Sequence, residues 1–301
     1  MTVAYYQTLI DAQMHAFIAA TEACYPADTA QMDITGQRRI YDAMCARFCQ
    51  PYPAGISAQD ELIAGVPCRR YSGAGPNVIY FHGGGFVVGG LHSHDDVCAE
   101  IAAATGLGVI AVDYRLSPEH AHPAAFDDAV AVVRAMDRPV LLAGDSAGAN
   151  LAAATAHALR GQVAILGQVL IYPGLGGDRS QGSYQTHAFA PMLTLADVEF
   201  YAEVRGPERR GDPSLAPLQD HDFGGLPPTF AVAAECDPLA DDAHTYAAAI
   251  CAAGGKAYSQ TATGLVHGYL RARHMSDRAA ASFAQICTTL GAFARGEWPF
   301  S

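Results

Sequence analysis

Three residue types that could act together as a nucleophilic relay occur in the order serine, aspartate, histidine. Ser146 lies in the pentapeptide GDSAG, Asp237 follows the apolar run TFAVAAEC, and His267 lies in the stretch TGLVHGY. A serine hydroxyl is a weak nucleophile at neutral pH, so it needs a base to take its proton and an acid to orient that base. This order of residues indicates acyl transfer through a covalent serine intermediate.

The pentapeptide GDSAG matches G-x-S-x-G, a pattern that places a serine on a strained turn between a strand and a helix. Its glycines allow a close backbone approach where a side chain would clash. Ordinary glycine–serine turns share the pattern, so the pentapeptide alone is a weak signal. The apolar run VLLA before it and the alanine-rich stretch ANLAAATAHALR after it are the context that the turn requires. We therefore predict that the Ser146 hydroxyl projects above a sheet.

The sequence HGGGF at 82–86 directly follows the strand-like run NVIYF. Three consecutive glycines leave backbone N–H groups unobstructed, so this loop could bind an oxyanion together with the N–H of Ala147. A flexible turn and a phosphate-binding loop are the alternatives. The phosphate-binding interpretation is the weaker one, because no G-x-x-x-x-G-K-[ST] pattern and no G-x-G-x-x-G with a suitably spaced acid is present.

Other acids compete with Asp237 for the orienting role. Asp241 and Asp242 fall where a helix should begin, and they are expected to cap it. Asp145, directly before the serine, is expected only to cap the helix that follows. Of the 12 histidines, His267 is distinguished by its place in the chain order and by the glycines on either side.

Two groups of residues could also be considered as metal ligands. The first group follows a glycine turn, where acids favour a helix N-terminus instead, and consists of His92, His94, Asp95 and Asp96. The second is the pair Cys45 and Cys49, which could share a helix face. Neither pattern matches a metal-binding motif, so no metal site is predicted.

The elements that must position these residues follow from the hydrophobic pattern. Short runs that are apolar almost throughout alternate with longer alanine-rich segments, as in VIYF, VIAVDY, VLLAG, VLIY and TFAVAA. Such runs are typical of parallel strands covered on both faces. The alternation predicts an α/β fold with a mostly parallel central sheet and helices on both faces.

Composition excludes several classes of function. Thirty acidic and 18 basic residues give a formal net charge of −12, which disfavours binding to nucleic acid or to anionic membranes. The N-terminal stretch lacks a basic region and is interrupted by polar residues, so neither a signal peptide nor a membrane-spanning helix is expected. Eight cysteines without a CxxC pair suit a reducing compartment. These features predict a cytoplasmic globular protein.

The motifs together resemble those of the hormone-sensitive-lipase branch of the α/β-hydrolases, which includes bacterial carboxylesterases and acetyl esterases. The matching stretches are HGGGF, VDYRLSPEHAHPAAFDD, GDSAGANLA, LPPTFAVAAECDPLADDA and VHGY, in the order of that family. The resemblance implies an α/β-hydrolase fold in which Ser146 is the nucleophile, His267 the base and Asp237 the orienting acid. It also implies oxyanion donors on the backbone N–H groups of Gly84, Gly85 and Ala147.

By the same resemblance, a small helical cap would cover the acyl pocket. It would consist of residues 1–50 and an insertion at about 185–215, over a catalytic domain at 51–301. Bulky N-terminal residues could close one end of the pocket or simply pack onto the domain body, namely Tyr5, Tyr6, Phe17 and Ile18. The aromatic candidates for the pocket lining, which could equally be ordinary core, are Phe86, Tyr184 and Phe189.

The sequence therefore predicts a serine esterase that hydrolyses short-chain carboxylic esters through an acyl-enzyme, with no cofactor. The expected partner is a small-molecule ester, with no nucleic acid and no membrane, and a homodimer is compatible with the sequence. An amidase or formamidase could use the same triad, because the shape of the pocket selects the leaving atom. A binding protein that has lost catalysis is the remaining alternative, but it would usually lack a triad member, and here all three positions are filled.

Overall fold

An eight-stranded sheet forms the centre of the computed structural model, which describes residues 3–207 and 211–301. The strands are β1 (Ala58–Ile63), β2 (Val66–Tyr71), β3 (Ala74–Phe81), β4 (Leu107–Val112), β5 (Val140–Asp145), β6 (Ile165–Ile171), β7 (Thr229–Cys236) and β8 (Ala257–Val266). The helices are α1 (Val3–Leu9), α2 (Ala12–Glu22), α3 (Ile34–Phe48), α4 (Asp95–Thr105), α5 (Ala124–Arg134), α6 (Ala147–Leu159), α7 (Gly182–Thr186), α8 (Leu195–Arg205), α9 (Ala240–Ala252) and α10 (Asp277–Ala294). Short 3₁₀ helices occupy Thr29–Gln31, Pro217–Gln219 and Tyr269–Ala272.

The sheet is parallel except at one edge. Its strand order is β1–β2–β4–β3–β5–β6–β7–β8, in which β2 pairs antiparallel with β1 and with β4, and the other neighbours pair in parallel. The carboxyl ends of parallel strands meet at one edge of a sheet, so the loops after β3, β5, β7 and β8 converge there. This topology confirms the predicted fold class.

The central strands bury both of their faces, and alternate residues enter two different cores. In β3, Val78 and Tyr80 face one core, whereas Ile79 and Phe81 face the other. Helices α4 and α10 contribute to the first core, and α5, α6 and α9 contribute to the second. Continuous apolar runs require this cover on both sides. Within the two described ranges, no helix has the length and apolar character needed to cross a membrane.

The N-terminal helices pack onto the body of the protein. The side chains of Tyr6, Phe17 and Ile18 are buried in the first core, and the Phe17 ring lies 5.2 Å from the ring of Phe48 on α3. Tyr5 is 39% exposed. Among these described N-terminal residues, none of the four proposed to close the pocket lines the large cavity reported below. Packing onto the domain body is thus the interpretation that the structure supports for Tyr6, Phe17 and Ile18, whereas Tyr5 is exposed.

The segment between β6 and β7 places α8 against the HGGGF loop. Helix α8 begins with a capping box, in which the Thr194 hydroxyl accepts a hydrogen bond from the Asp197 N–H and the Asp197 carboxylate accepts one from the Thr194 N–H. The ring of Tyr201 lies directly over Gly85. Residues 208–210, within the predicted insertion at 185–215, lie outside the described residues.

Candidate active site

Ser146 lies on a sharp turn between β5 and α6. Its backbone has φ 54° and ψ −118°, a conformation that residues other than glycine rarely adopt. Helix α6 packs so closely on the sheet that a Cβ atom on Gly148 would overlap the carbonyl oxygen of Phe81. A Cβ atom on Gly144 would lie 2.5 Å from the carbonyl carbon of Gly148. The two glycines therefore allow the close approach, and Ser146 lines the cavity above the sheet.

The three residues predicted to act together meet at the carboxyl edge of the sheet. His267 Nε2 lies 2.9 Å from Ser146 Oγ, and His267 Nδ1 lies 2.7 Å from Asp237 Oδ2. Asp237 is fully buried, and its second oxygen accepts a hydrogen bond of 2.9 Å from the Leu239 N–H. An ionised carboxylate can only accept, so Nδ1 carries the proton and Nε2 is free to accept the serine proton. This arrangement can activate a serine for nucleophilic attack.

The competing acids do not reach the imidazole, and their hydrogen bonds run to other segments. Asp241 accepts a hydrogen bond of 2.8 Å from the Ser183 N–H. Asp242 is buried and accepts hydrogen bonds from the Leu175 N–H at 2.6 Å and the Tyr184 hydroxyl at 3.0 Å. Burial raises the pKa of Asp242 to about 6, although these hydrogen bonds act in the opposite direction. Both acids lie in the first turn of α9, where the sequence predicts that a helix begins, but Leu239 is the N-cap and, in the described chain, no side chain caps the helix. The two carboxylates hold the chain between β6 and α8 instead.

The HGGGF loop presents free backbone donors next to Ser146. Gly84 and Gly85 have φ values of 131° and 60°, which glycine adopts readily. In the described chain, the N–H groups of Gly84 and Gly85 make no hydrogen bond, and Ala147 is the first residue of α6, where N–H groups have no partner within the helix. All three residues line the same cavity as Ser146. The arrangement can stabilise an oxyanion that forms above the serine.

Asp145 connects the nucleophile strand to the HGGGF loop. One of its oxygens accepts hydrogen bonds of 2.9 Å from both the Tyr80 hydroxyl and the Gly83 N–H, and the other lies 3.2 Å from His94 Nε2 and from the Tyr172 hydroxyl. Burial would raise the pKa of Asp145, but the field and hydrogen bond of His94 hold it well below the usual range. Asp145 therefore holds the loop in place, and the expectation that it only caps α6 is wrong.

The residues considered as metal ligands contact other protein groups. His94 contacts Asp145, and His92 contacts Asp42. Asp95 accepts hydrogen bonds from the hydroxyls of Tyr52 and Tyr71. Asp96 forms a salt bridge with Arg273. Cys45 is a buried thiol and Cys49 an exposed one, and the two are not joined. Among the residues that the structure describes, no group of three His, Cys, Asp or Glu side chains could hold a metal ion.

His82, the first residue of the HGGGF loop, is a buried and neutral histidine. Its ring stacks on the Tyr114 ring at 4.3 Å, and its Nδ1 atom lies 2.8 Å from the Gly83 carbonyl oxygen. The Nε2 atom is buried and has no hydrogen-bond partner among the described residues. Burial, followed by the charge of His94, lowers the pKa of His82 to about 3. The base of this loop therefore carries no positive charge at neutral pH.

Acid should destabilise the protein through His82. Between about pH 6.5 and 3 the unfolded chain binds a proton at this position and the folded chain does not, so the free energy of unfolding falls as the pH falls. One such proton accounts for about 1.4 kcal/mol per pH unit. Urea titrations give the free energy of unfolding at each pH across this range. Plotted against pH, this free energy should change less steeply for His82→Phe than for the wild type, by up to the equivalent of one bound proton. His221→Phe, which removes an exposed histidine, is the matched control for the substitution itself. Equal slopes for the wild type and His82→Phe would show that His82 binds its proton equally well in the folded and unfolded chain, which would contradict the prediction.

A cavity of about 870 Å³ lies above Ser146 and His267. The N-terminal helices, the HGGGF loop, the segment between β6 and β7 and the loop after β8 all contribute to its walls. Of the predicted lining residues, Phe86 and Tyr184 do line it. Phe189 does not: it is 81% exposed, in a turn whose residues His187 and Ala190 are buried.

Sequence reasoning missed several polar and aromatic residues of the cavity wall. They are Tyr25, Tyr41, Tyr201, Arg205 and Arg271. The first two come from the N-terminal segment, whose helices are far from the motifs in sequence. Tyr201 and Arg205 are four residues apart on α8, and this spacing could have indicated a shared helix face.

Comparisons with known proteins agree with the fold and the position of the motifs. The profile of a family described as alpha/beta hydrolase fold matches residues 78–271. The esterase LipI of Mycobacterium tuberculosis is 37% identical over 210 residues, which are 65% of this chain and 66% of that relative. The chain thus spans slightly less than two thirds of the length of that curated relative.

Two further proteins match more of the chain. An acetyl esterase of Salmonella enteritidis PT4 is 32% identical over 263 residues, covering 78% of this chain and 80% of the relative. Among solved structures, the hyperthermophilic esterase from the archeon Pyrobaculum calidifontis is 30% identical. Its TM-score is 0.82, and the match covers 88% of this chain and 95% of that one. The similarity therefore extends beyond the motifs to most of the fold.

Proposed function

Because this chain belongs to the α/β-hydrolase family, in its hormone-sensitive-lipase-like branch, we propose that it is a serine carboxylesterase for short-chain carboxylic esters. The observation that carries the proposal is the contact series Ser146 Oγ to His267 Nε2 at 2.9 Å and His267 Nδ1 to Asp237 at 2.7 Å. The names of relatives, such as acetyl esterase and the ethyl acetate hydrolase of Pseudomonas putida, support an ester substrate with a small acyl group.

The first half-reaction transfers the acyl group to Ser146. His267 Nε2 takes the hydroxyl proton as Oγ attacks the ester carbonyl carbon, and Asp237 stabilises the imidazolium that forms. The negative charge that develops on the carbonyl oxygen is stabilised by the N–H groups of the HGGGF loop and Ala147. His267 then gives its proton to the departing alcohol oxygen, which leaves an acyl-enzyme.

The second half-reaction uses the same groups on water. His267 removes a proton from a water molecule, whose oxygen attacks the acyl-enzyme carbonyl, and the oxyanion donors act again. Collapse of this intermediate returns the proton to Ser146 Oγ and releases the carboxylic acid. Every proton in the cycle moves through one imidazole, so the proposal requires no cofactor.

The proposal also includes a division of the chain into a cap and a catalytic domain, a location and a partner. Residues 1–50 and about 185–215 form a cap over a catalytic domain at 51–301, supported by the cavity residues that Tyr25, Tyr41 and Tyr201 contribute from these segments. The eight unpaired cysteines support a cytoplasmic location. The substrate is a small molecule, and a homodimer remains a prediction.

A graded panel of p-nitrophenyl esters tests this function. Each methylene buried in the cavity should add about 0.8 kcal/mol of binding until the acyl chain meets the wall, after which it must displace packed side chains. We expect kcat/KM to be highest between acetyl and about hexanoyl esters and to fall steeply for longer chains. The matched p-nitroanilides should react far more slowly, and faster anilide hydrolysis would favour an amidase. An enzyme that prefers palmitoyl to butyryl esters would exclude a bounded pocket.

A further inference from the structure

Arg271 is a cation in the cavity wall with unused hydrogen-bond donors. Its Nη2 atom donates to the Tyr41 hydroxyl at 2.7 Å and to the Cys45 sulfur at 3.2 Å. Its Nε atom is buried and has no partner, and its Nη1 atom makes no hydrogen bond within the described ranges. In the same ranges, no carboxylate lies within 4.0 Å of this guanidinium. The Asp145 carboxylate acts on it from a greater distance. A cation with buried donors left unpaired and no carboxylate in contact is costly unless a ligand completes its contacts.

Neighbouring arginines differ from Arg271 in their hydrogen bonds, because neither Arg205 nor Arg273 has a buried nitrogen atom without a partner among the described residues. Arg273, two residues further along, is paired with Asp96 and Glu100. Arg205, also in the cavity wall, donates to the Leu215 carbonyl oxygen at 2.9 Å and to the Asn150 side-chain oxygen at 3.3 Å, and its guanidinium stacks on Phe86 at 3.6 Å. The unmet donors of Arg271 therefore reflect its particular surroundings rather than a general property of buried arginines here.

The position of Arg271 places it within reach of a bound substrate. It belongs to the 3₁₀ helix Tyr269–Ala272, which begins two residues after His267, and it lines the same cavity as Ser146. Four carboxylates also line this cavity. Glu22, Asp178 and Asp197 are exposed side chains at its solvent edge, whereas Asp145 is buried and already accepts hydrogen bonds from the Tyr80 hydroxyl and the Gly83 N–H. A small molecule that has passed this edge meets a cation close to the reacting groups.

We propose that Arg271 binds a carboxylate of the substrate, so that the preferred substrates are esters that carry a carboxylate a few atoms from the scissile carbonyl. This inference rests on the proposed esterase function. A guanidinium matches a carboxylate in charge and in planar geometry, and such charge-assisted hydrogen bonds are stronger than neutral ones. Two ester types present this group: a half-ester of a dicarboxylic acid, with the carboxylate in the acyl part, and an acylated hydroxy acid, with the carboxylate in the alcohol part.

Two matched pairs of esters test the proposal and separate the two types. The acyl pair is mono-p-nitrophenyl glutarate and p-nitrophenyl hexanoate, and the alcohol pair is 3-acetoxypropanoate and its methyl ester. The measured quantity is the ratio of kcat/KM for the charged ester to that for the neutral one. We expect Arg271→Met to lower this ratio by about 10- to 100-fold in at least one pair. Arg295→Met removes an exposed arginine that, among the described residues, pairs with Glu297 and lies outside the cavity lining, so it should leave both ratios unchanged.

The outcomes separate this inference from the esterase proposal. Wild-type and Arg271→Met ratios that agree within threefold in both pairs would overturn carboxylate binding, while hydrolysis of the neutral esters would leave the esterase intact. If no ester is hydrolysed, the esterase proposal itself fails. Should Arg271→Met not fold, inhibition of the wild type decides: glutarate should inhibit at least 10-fold more strongly than glutaramide. Equal inhibition by the two compounds would also overturn the proposal.

Discussion

Replacing Ser146 by alanine is expected to lower kcat for a short-chain ester by roughly 10³-fold or more and to leave the fold intact. The substitution removes the oxygen that lies 2.9 Å from His267 Nε2, so no acyl-enzyme can form. Alanine keeps the same Cβ atom, so the turn with φ 54° is no more strained than before. The residual rate would come from substrate binding and the oxyanion donors, which the substitution does not touch.

Steady-state kinetics with p-nitrophenyl butyrate measure this loss, and labelling with a fluorophosphonate assigns it. The wild type should incorporate one label per chain, and Ser146→Ala should incorporate none. Thermal melting followed by circular dichroism should show near-identical transitions. Ser180 is exposed and outside the cavity lining, so Ser180→Ala is a matched control that should keep both labelling and turnover. Wild-type turnover in Ser146→Ala would remove the whole mechanism.

The parts of the site that sequence could predict are those fixed by local geometry. The turn at Ser146 needs glycine at 144 and 148 because α6 approaches the sheet too closely for a side chain, and this requirement appears directly as GDSAG. The free N–H groups of the HGGGF loop likewise follow from consecutive glycines. Asp237 and His267 were predictable because the carboxyl ends of parallel strands meet at one edge of a sheet, so that chain order gives spatial proximity.

The parts that sequence could not predict depend on contacts between distant segments. Asp242 stands at the start of α9, where an acid normally caps the helix, but the chain between β6 and α8 folds over it and supplies its donors from Leu175 and Tyr184. Phe189 is aromatic in a predicted cap, and only the direction of a turn decides that it faces solvent. The buried Nε atom of Arg271 has no hydrogen-bond partner in the described chain because the segments around it supply no acceptor, and no local sequence pattern records this.

Replacing Asp237 by asparagine should lower kcat by about 10⁴-fold with little change in the fold. The asparagine amide can present its NH₂ group to His267 Nδ1, and the ring then places its proton on Nε2. A protonated Nε2 cannot accept the proton of Ser146, so the base is lost although all three side chains remain. The substitution also removes the negative charge that would neutralise the imidazolium, and the site of this charge is fully buried. A pre-steady-state burst assay should show that acylation, rather than deacylation alone, has slowed.

The adjacent acids decide whether this loss belongs to Asp237. Asp241 is exposed and accepts a hydrogen bond from the Ser183 N–H, a role that an asparagine oxygen can keep, so Asp241→Asn should change kcat by less than about threefold. Asp242 is a poorer control, because it is buried and orders the chain at Leu175 beside the cavity. Kinetics of the two asparagine variants under one set of conditions make the comparison direct. A large loss in Asp241→Asn together with a small one in Asp237→Asn would show that the orienting acid has been misassigned, since only the carboxylate that contacts Nδ1 can hold the ring in its productive tautomer.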